Sequence, residues 1–355
     1  MQNASPESAP FKTRVVRPDE LTTNERARWQ DLLSSSNCAS AFLSPAYALA
    51  AEKAFGNVRV CIFEHAGVIQ AFFAFSLPML GNRLLGAGVP LAGSFSDYVG
   101  IIAQPDFRVT PDQLLRASGL STFLFTHLDE TQSSHGMTGS QPRKGLRIRT
   151  GVEGDFLAEL AQRDKKFFQD TERRHRKLER DHGTLRFALE EPGSAMLDWL
   201  IDTKIAQYRR TGRNAHPFSA KADRDFLHFL AAQDDPLCKP RLTTLYCNDK
   251  PIAAHFGLQC VDTLAYWFPV YDTAFHSYSP GRLLMWETLK RGRELGIRCV
   301  DRGEGDTQAK RDFANEEHLY FRDYYARKNL SAFIDRGLNS LRWRLEAKRA
   351  KPEAE

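Results

Sequence analysis

Three β-strand runs follow one another with only short turns between them: RLTTLYC, PIAAHFGLQC and TLAYWFPVYD, turning at Asn248-Asp249 and Val261-Asp262. Strands joined that closely pair antiparallel. The chain then passes Ser279-Pro280-Gly281, a helix over Gly281–Leu295 closed by Gly296, and the strand IRCVD. A helix between two strands of one sheet is a parallel crossover, so meander plus crossover predict a mixed, mostly antiparallel sheet with helices on both faces. The class is α/β (α+β). A doubly wound nucleotide fold would alternate strand and helix throughout.

Upstream of the meander lie a charged helix over Asp155–Asp181, the strand LRFALE, a helix over Ser194–Thr211 and another over Ala222–Ala232. Downstream come the short helix DTQAKRDF and the strand HLYFRDYYA. The first half shows a shorter version of this order. It has the strand FKTRVVR, helices over Thr23–Ser34 and Pro45–Phe55, and the strand patterns VRVCIFEHAGVIQAFFAFSLP and LAGSFSDYVGIIA. A helix over Pro111–Ser118 and the strand STFLFTHL complete it. The repeated order suggests an internal duplication. Thr131–Gly145, rich in Ser, Thr, Gly, Gln and Pro and without apolar periodicity, reads as an exposed connection. It sets the expected units at 11–150 and 151–330, with a disordered tail over 1–10 and an amphipathic basic helix or tail over 331–355. In that last segment Ile334, Leu338, Leu341 and Leu345 keep helical spacing beside Arg336, Arg342, Arg344 and Lys348.

Two units suit 355 residues. A net charge of +5 is small for that length, and Arg173, Arg174, Arg176, Lys177 and Arg180 alternate with Asp170, Glu172, Glu179 and Asp181. Mixed signs describe a solvated helix face, so no nucleic acid partner is expected. MQNASPESAP has neither a basic nor an apolar leader region, and the most apolar stretch, Ala71–Leu80, is too short to span a bilayer. The six cysteines show no metal-ligand spacing and read as buried thiols of a reducing compartment. The expectation is a cytoplasmic protein without metal.

Three constellations carry chemistry. The helix start at Ser279-Pro280-Gly281 offers unpaired amides and the positive end of a helix dipole, a site for phosphate, and Gly281 lets a pyrophosphate come close. Pro269 deletes a ladder donor within the preceding strand and opens its edge to a linear amide-bearing ligand. Second, Ile297, Cys299 and Asp301 share a strand face, so Asp301 is expected to be partly buried with Lys310 or Arg302 as partner. Asp306 would cap the helix of Lys310. Third, His255 lies on the smaller, more polar face of PIAAHFGLQ, where it is a candidate base or a structural residue. The glycines at 88 and 93 lack the lysine of a P-loop, and Gly303 and Gly305 lack the third glycine of a dinucleotide fingerprint.

Taken together, His255, Tyr266–Pro269, Tyr271-Asp272, Ser279–Gly281 and Asp301–Lys310 resemble the core of the CelD/BcsL-type GNAT acetyltransferases, of the FemAB-related branch. About 60 residues carry the clear likeness, and weaker similarity at Arg173–Gly183 and Lys204–Gly212 extends it. The chain departs from the family pattern at Ala309, Arg302 and Glu304. The resemblance implies tandem GNAT-like domains and transfer of an acyl group from acetyl-CoA or another acyl-CoA to an amine or hydroxyl. The acceptor would be a small molecule or saccharide, in association with envelope polysaccharide synthesis. It implies acyl-CoA contacts at Trp267, Phe268, Pro269, Val270, Tyr271, Tyr278, Ser279, Pro280, Gly281, Arg282 and Leu283. Catalysis would fall to Asp301, Lys310, His255 and Glu304, and substrate binding to Tyr208, Asp272 and Asp306. Aminoacyl transfer from charged tRNA, or a non-catalytic partner of a polysaccharide synthase, are the alternatives.

Overall fold

The computed structural model describes residues 11–150, 156–211, 218 and 220–338. The expected tail at 1–10, and Leu341, Arg342, Arg344, Leu345 and Lys348, lie outside the described residues.

Seven strands come from the first half: β1 (Lys12–Val16), β2 (Val58–His65), β3 (Val68–Ser76), β4 (Ala87–Gly88), β5 (Ile101–Ala103), β6 (Thr122–Asp129) and β7 (Gln141–Arg149). The second half adds β8 (Leu185–Glu190), β9 (Lys239–Cys247), β10 (Lys250–Cys260), β11 (Thr263–Tyr271), β12 (Cys299–Glu304) and β13 (Glu316–Ala326). The helices are α1 (Thr23–Ser34), α2 (Pro45–Phe55), α3 (Leu80–Leu85), α4 (Pro111–Ala117), α5 (Phe156–Arg163) and α6 (Lys165–His182). They continue with α7 (Ala195–Arg210), α8 (Lys221–Ala231), α9 (Pro280–Lys290) and α10 (Gln308–Arg311). Local chemistry sets their ends. Thr22 and Glu25 close a capping box on α1, and Gly56 ends α2 in the left-handed region at φ 63°.

Two sheets result, one of order β1-β2-β3-β5 and one of order β4-β6-β13-β7-β12-β11-β10-β9-β8. Pairing is antiparallel except at β4–β6 and β11–β12. The larger sheet runs without interruption from one half into the other, because β13, the last strand, inserts between β6 and β7.

Three sequence readings need correction. Thr131–Gly145 is not an exposed connection throughout: from Gln141 the chain is β7, paired on both sides, with Gly145, Leu146 and Ile148 turned inward. The charged helix breaks at Asp164, whose side chain accepts from Phe167 N at 2.9 Å and starts α6. Leu91–Gly100 is not a strand, for Ala92 turns left-handed at φ 56° and a 3-10 turn over Gly93–Phe95 follows.

Helices cover both faces of the larger sheet. On one, α5, α6 and α9 pack over Leu245, Ala253, Leu264, Tyr266 and Val300. On the other, α7 and α8 join α1 and α2 in a core that takes Trp29, Phe42, Tyr47 and Phe95 from the first half and Leu200, Phe226, Phe256 and Phe268 from the second. Trp267 stands edge-on to Phe42 with ring centres 5.1 Å apart. Burial of each such side chain contributes about 1.5–3 kcal/mol, so the halves stabilise one another. Beyond β13, residues 330–338 are helical, with Ile334 and Leu338 exposed and Asp335 buried against Thr122 and Tyr324.

Candidate active site

The strands β11 and β12 run side by side for three pairs only, Thr263 with Cys299, Leu264 with Val300 and Ala265 with Asp301. Beyond Ala265, β11 keeps its pairing to β10 as far as Tyr271, while β12 turns away through Gly303 at φ 64°. A bulge helps the separation: Phe256 faces Phe268 but Leu258 faces Ala265, so two residues of β11, Tyr266 and Trp267, stand opposite Gly257 alone. A Cβ at Gly257 would collide with the Ala265 carbonyl and the His255 ring, which explains the glycine. From Tyr266 onward one edge of β11 is therefore open.

That opening is a solvent-open cleft. Tyr266, Pro269 and Tyr271 line it from β11, Lys204 and Gln207 from α7, Arg302 from β12, and Ser279, Pro280, Gly281 and Arg282 from the start of α9. The Pro269 carbonyl accepts from Lys204 Nζ at 3.0 Å. Two buried donors facing the cleft, Tyr266 OH and Arg302 Nη1, have no hydrogen-bond partner among the described residues. A buried donor left unpaired costs about 1–3 kcal/mol, so a ligand that accepts from them is favoured.

At the far end of the cleft Ser279 caps α9 from the left-handed region, φ 56° and ψ 56°, without using its side chain as a cap. Arg174 reaches Ser277 O at 2.9 Å and Ser279 Oγ at 3.2 Å, and Arg282 holds Asp170 Oδ2 at 3.0 Å. Arg174 Nε also bonds Asp170 Oδ2, at 2.8 Å, so the two guanidinium groups share that carboxylate beside the positive end of the helix dipole. A Cβ at Gly281 would meet only Tyr271 Cδ1, at 3.8 Å, so the open space beside this turn depends on the glycine having no side chain.

A second cluster lies where β12 faces the first half. Asp301 is 3 % exposed and accepts from Tyr98 OH, from Gly303 N at 2.7 Å, from Tyr320 OH at 3.3 Å and from Arg147 Nε at 3.4 Å. Arg147 also bonds Asp129 Oδ2 at 3.1 Å. Burial works against the charge of Arg147, but Tyr98 and Asp301 keep its pKa above the ordinary value. Glu304 pairs with Arg322 at 2.6 Å and lies 3.3 Å from His127 Nε2. Burial, then Arg302, lowers the pKa of Lys310, whose Nζ donates to Glu304 O at 2.6 Å and Gly303 O at 3.4 Å.

Asp97 is different. Among the described residues its carboxylate takes part in no hydrogen bond or ion pair, and a Cβ at Gly303 would lie 3.6 Å from its Oδ2. Burial first, and Asp301 second, push its pKa up to about 7.

Of the residues singled out by sequence, the structure gathers Pro269, Tyr271, Ser279, Pro280, Gly281 and Arg282 around one cleft. Trp267, Phe268 and Val270 point instead into the core shared by the halves, and Leu283 is buried under α9. Tyr278 faces α6, with its hydroxyl 3.1 Å from Asp181. Tyr208 stands a turn beyond Lys204, 5.2 Å from its ammonium. Asp272 binds Lys250 at 2.8 Å and edges a smaller recess beside the cleft.

The expected partner of Asp301 was Lys310 or Arg302; it is Arg147 with two tyrosines, because Arg302 turns to the opposite face toward Tyr266. Asp306 is not the cap of α10, a position taken by Thr307, and pairs with Arg311 at 3.1 Å. His255 is fully buried and lies parallel to Tyr266, ring centres 3.7 Å apart. Burial drives its pKa down to about 3, so the imidazole is neutral at physiological pH. Sequence reasoning missed Lys204, Gln207, Arg147, Tyr98 and Asp97. A lone lysine on a helix and an aspartate in a loop carry no local signal when their partners are distant in sequence.

Residues 165–311 match the family model described as Acetyltransferase (GNAT) domain. A search of curated protein sequences returns no match. Several solved structures share the fold. FemX superposes with a TM-score of 0.54 at 10% identity, over 86% of this chain and 96% of that one. A tandem GNAT protein from the clavulanic acid biosynthesis pathway gives 0.52 at 10% identity, over 90% and 100%. A conserved protein of unknown function from Bacteroides thetaiotaomicron gives 0.51 at 12% identity, over 89% and 100%. The chain therefore has the GNAT fold in tandem, a mixed α/β architecture whose second half carries the acetyltransferase-domain match.

Proposed function

We propose that the protein is an acyltransferase that takes an acyl group from acetyl-CoA or another acyl-CoA and passes it to an amine or hydroxyl. The observation that carries this reading is the separation of β11 from β12 after three pairs, which opens a cleft leading to the start of α9. The acyl-CoA supplies the activated thioester. The free edge of β11 from Tyr266 to Tyr271 offers backbone groups to the amides of a pantetheine arm, as an added strand would use them. The Ser279–Gly281 turn, with Arg174 and Arg282 beside it, holds the diphosphate. Tyr266 OH and Arg302 Nη1 are placed to donate to carbonyl oxygens lying in the cleft.

The likeness of Tyr266–Pro269, Ser279–Gly281 and Asp301–Lys310 to CelD/BcsL-type enzymes extends the reading to a cytoplasmic step on a saccharide or small-molecule acceptor of envelope polysaccharide synthesis. Among the described residues no helix is long and apolar enough to cross a membrane, so contact with such a machine would be peripheral.

Calorimetric titration with acetyl-CoA tests the donor. The parent is expected to bind, and Gly281→Val, which fills the turn, to bind at least about tenfold more weakly, a difference of about 1.4 kcal/mol. A parent that ignores acetyl-CoA, or a variant that binds it equally well, overturns the reading.

A further inference from the structure

We propose that the acceptor is an amine that binds on the side of the β11–β12 opening turned toward the first half, and that Asp97 is the base that takes its proton. The inference rests on the acyl-transfer reading above and adds to it a second site, a substrate class and a catalytic group.

The geometry begins with the segment Phe95–Tyr98, which spans the gap between the two strands. Phe95 stands edge-on to Trp267 of β11, ring centres 6.2 Å apart. Tyr98 donates to Asp301 of β12, and Asp97 between them faces Gly303 of β12. The α9 turn and the cleft lie on the opposite side of the same gap, since Val300 and Tyr266 pack against α9 while Asp301 and Trp267 face the first half. An acyl group held in the gap is thus reached from one side by its carrier and from the other by whatever meets Asp97.

Among the three carboxylates here, Asp97 is the one that makes no hydrogen bond or ion pair with the described residues through either oxygen. Asp301 is committed to Tyr98, Tyr320, Gly303 N and Arg147, while Glu304 holds Arg322 with one oxygen and leaves the other without a hydrogen-bond partner, 3.3 Å from His127 Nε2. His255 is enclosed beneath Tyr266. The charged groups that face Asp97 are Asp301, Lys310 and Glu304, the last beside His127. A carboxylate without a protein partner in a partly desolvated place attracts an ammonium ion far better than a neutral hydroxyl. A base whose pKa lies near the working pH is also the most effective one.

The bound ammonium gives one proton to Asp97, and the free amine attacks the thioester carbon. The C–N bond forms as the C–S bond breaks. The second proton of the nitrogen ends on the departing sulfur as CoA thiol, and the first passes from Asp97 to solvent.

Two measurements on the full chain decide. All six native cysteines are buried, so Asp97→Cys introduces the one accessible thiol among the described residues. With bromoacetyl-CoA this variant is expected to form a covalent adduct at residue 97, seen by peptide mass spectrometry and suppressed by excess acetyl-CoA. A variant that still binds acetyl-CoA but gives no adduct overturns the placement. Failure of the parent to bind acetyl-CoA overturns the acyl-transfer reading instead. Aminolysis of acetyl-CoA by ethylamine, followed as thiol release, is expected to fall by about a hundredfold in Asp97→Asn and to lose its rise with pH around neutrality. An Asn variant with the parental rate and pH profile overturns the base assignment, and a parent no faster than the uncatalysed reaction overturns the amine.

Discussion

At the scale of single residues, the two aspartates near the strand opening do different work. Asp301 joins four donors from three separate strands and a loop, so it acts as a strut between the halves. Asp301→Asn leaves Arg147 buried with a weakened partner and is expected to cost about 3 kcal/mol in urea denaturation. A loss below about 1 kcal/mol would mean that the pair carries no structural load. Asp97 carries a pH signature. Its pKa near 7 in the fold compares with about 3.9 in an unfolded chain. The folded state therefore binds this proton more tightly, and the stability it contributes is lost as pH rises from about 4 to about 7. Urea midpoints of the parent should fall relative to Asp97→Asn across that window, and parallel curves would contradict the assignment. The two-residue strand period led to the expectation that Asp301 is partly buried, and it is 3 % exposed. Sequence did not show the partners, because Tyr98, Arg147 and Tyr320 come from elements that only the fold brings together.

At the scale of elements, the site is made by what the sheet leaves undone. The meander, its turns and the start of α9 were legible because short turns, alternating strands and Ser-Pro-Gly are local signals. The bulge opposite Gly257 was not, since a glycine in an apolar strand looks the same whether or not a neighbouring carbonyl crowds it. Gly257→Ala forces a methyl group against the Ala265 carbonyl and should cost about 2 kcal/mol in a thermal or urea melt. A neutral effect would show that the bulge relaxes freely. The strand β7 escaped notice for a related reason. Its first four residues are exposed and none is a strand-forming apolar residue, and only Leu146 and Ile148 keep the inward alternation.

For the whole molecule, the nine-stranded sheet and the shared aromatic core make the halves one folding unit. Circular dichroism and tryptophan fluorescence should report coincident unfolding transitions, and Trp267→Ala should lower the stability of the entire chain by about 3 kcal/mol. Two separated transitions would refute the shared core. The tandem arrangement was implied by the motif resemblance, whereas the insertion of β13 between β6 and β7 has no sequence signal, because strand order is set by long-range packing. The central claim is that acyl-CoA binds where β11 leaves β12. Hydrogen–deuterium exchange with and without acetyl-CoA tests it most directly. The account predicts slower exchange over Tyr266–Tyr271 and in the first turn of α9; unchanged exchange there, with acetyl-CoA demonstrably bound, would contradict it.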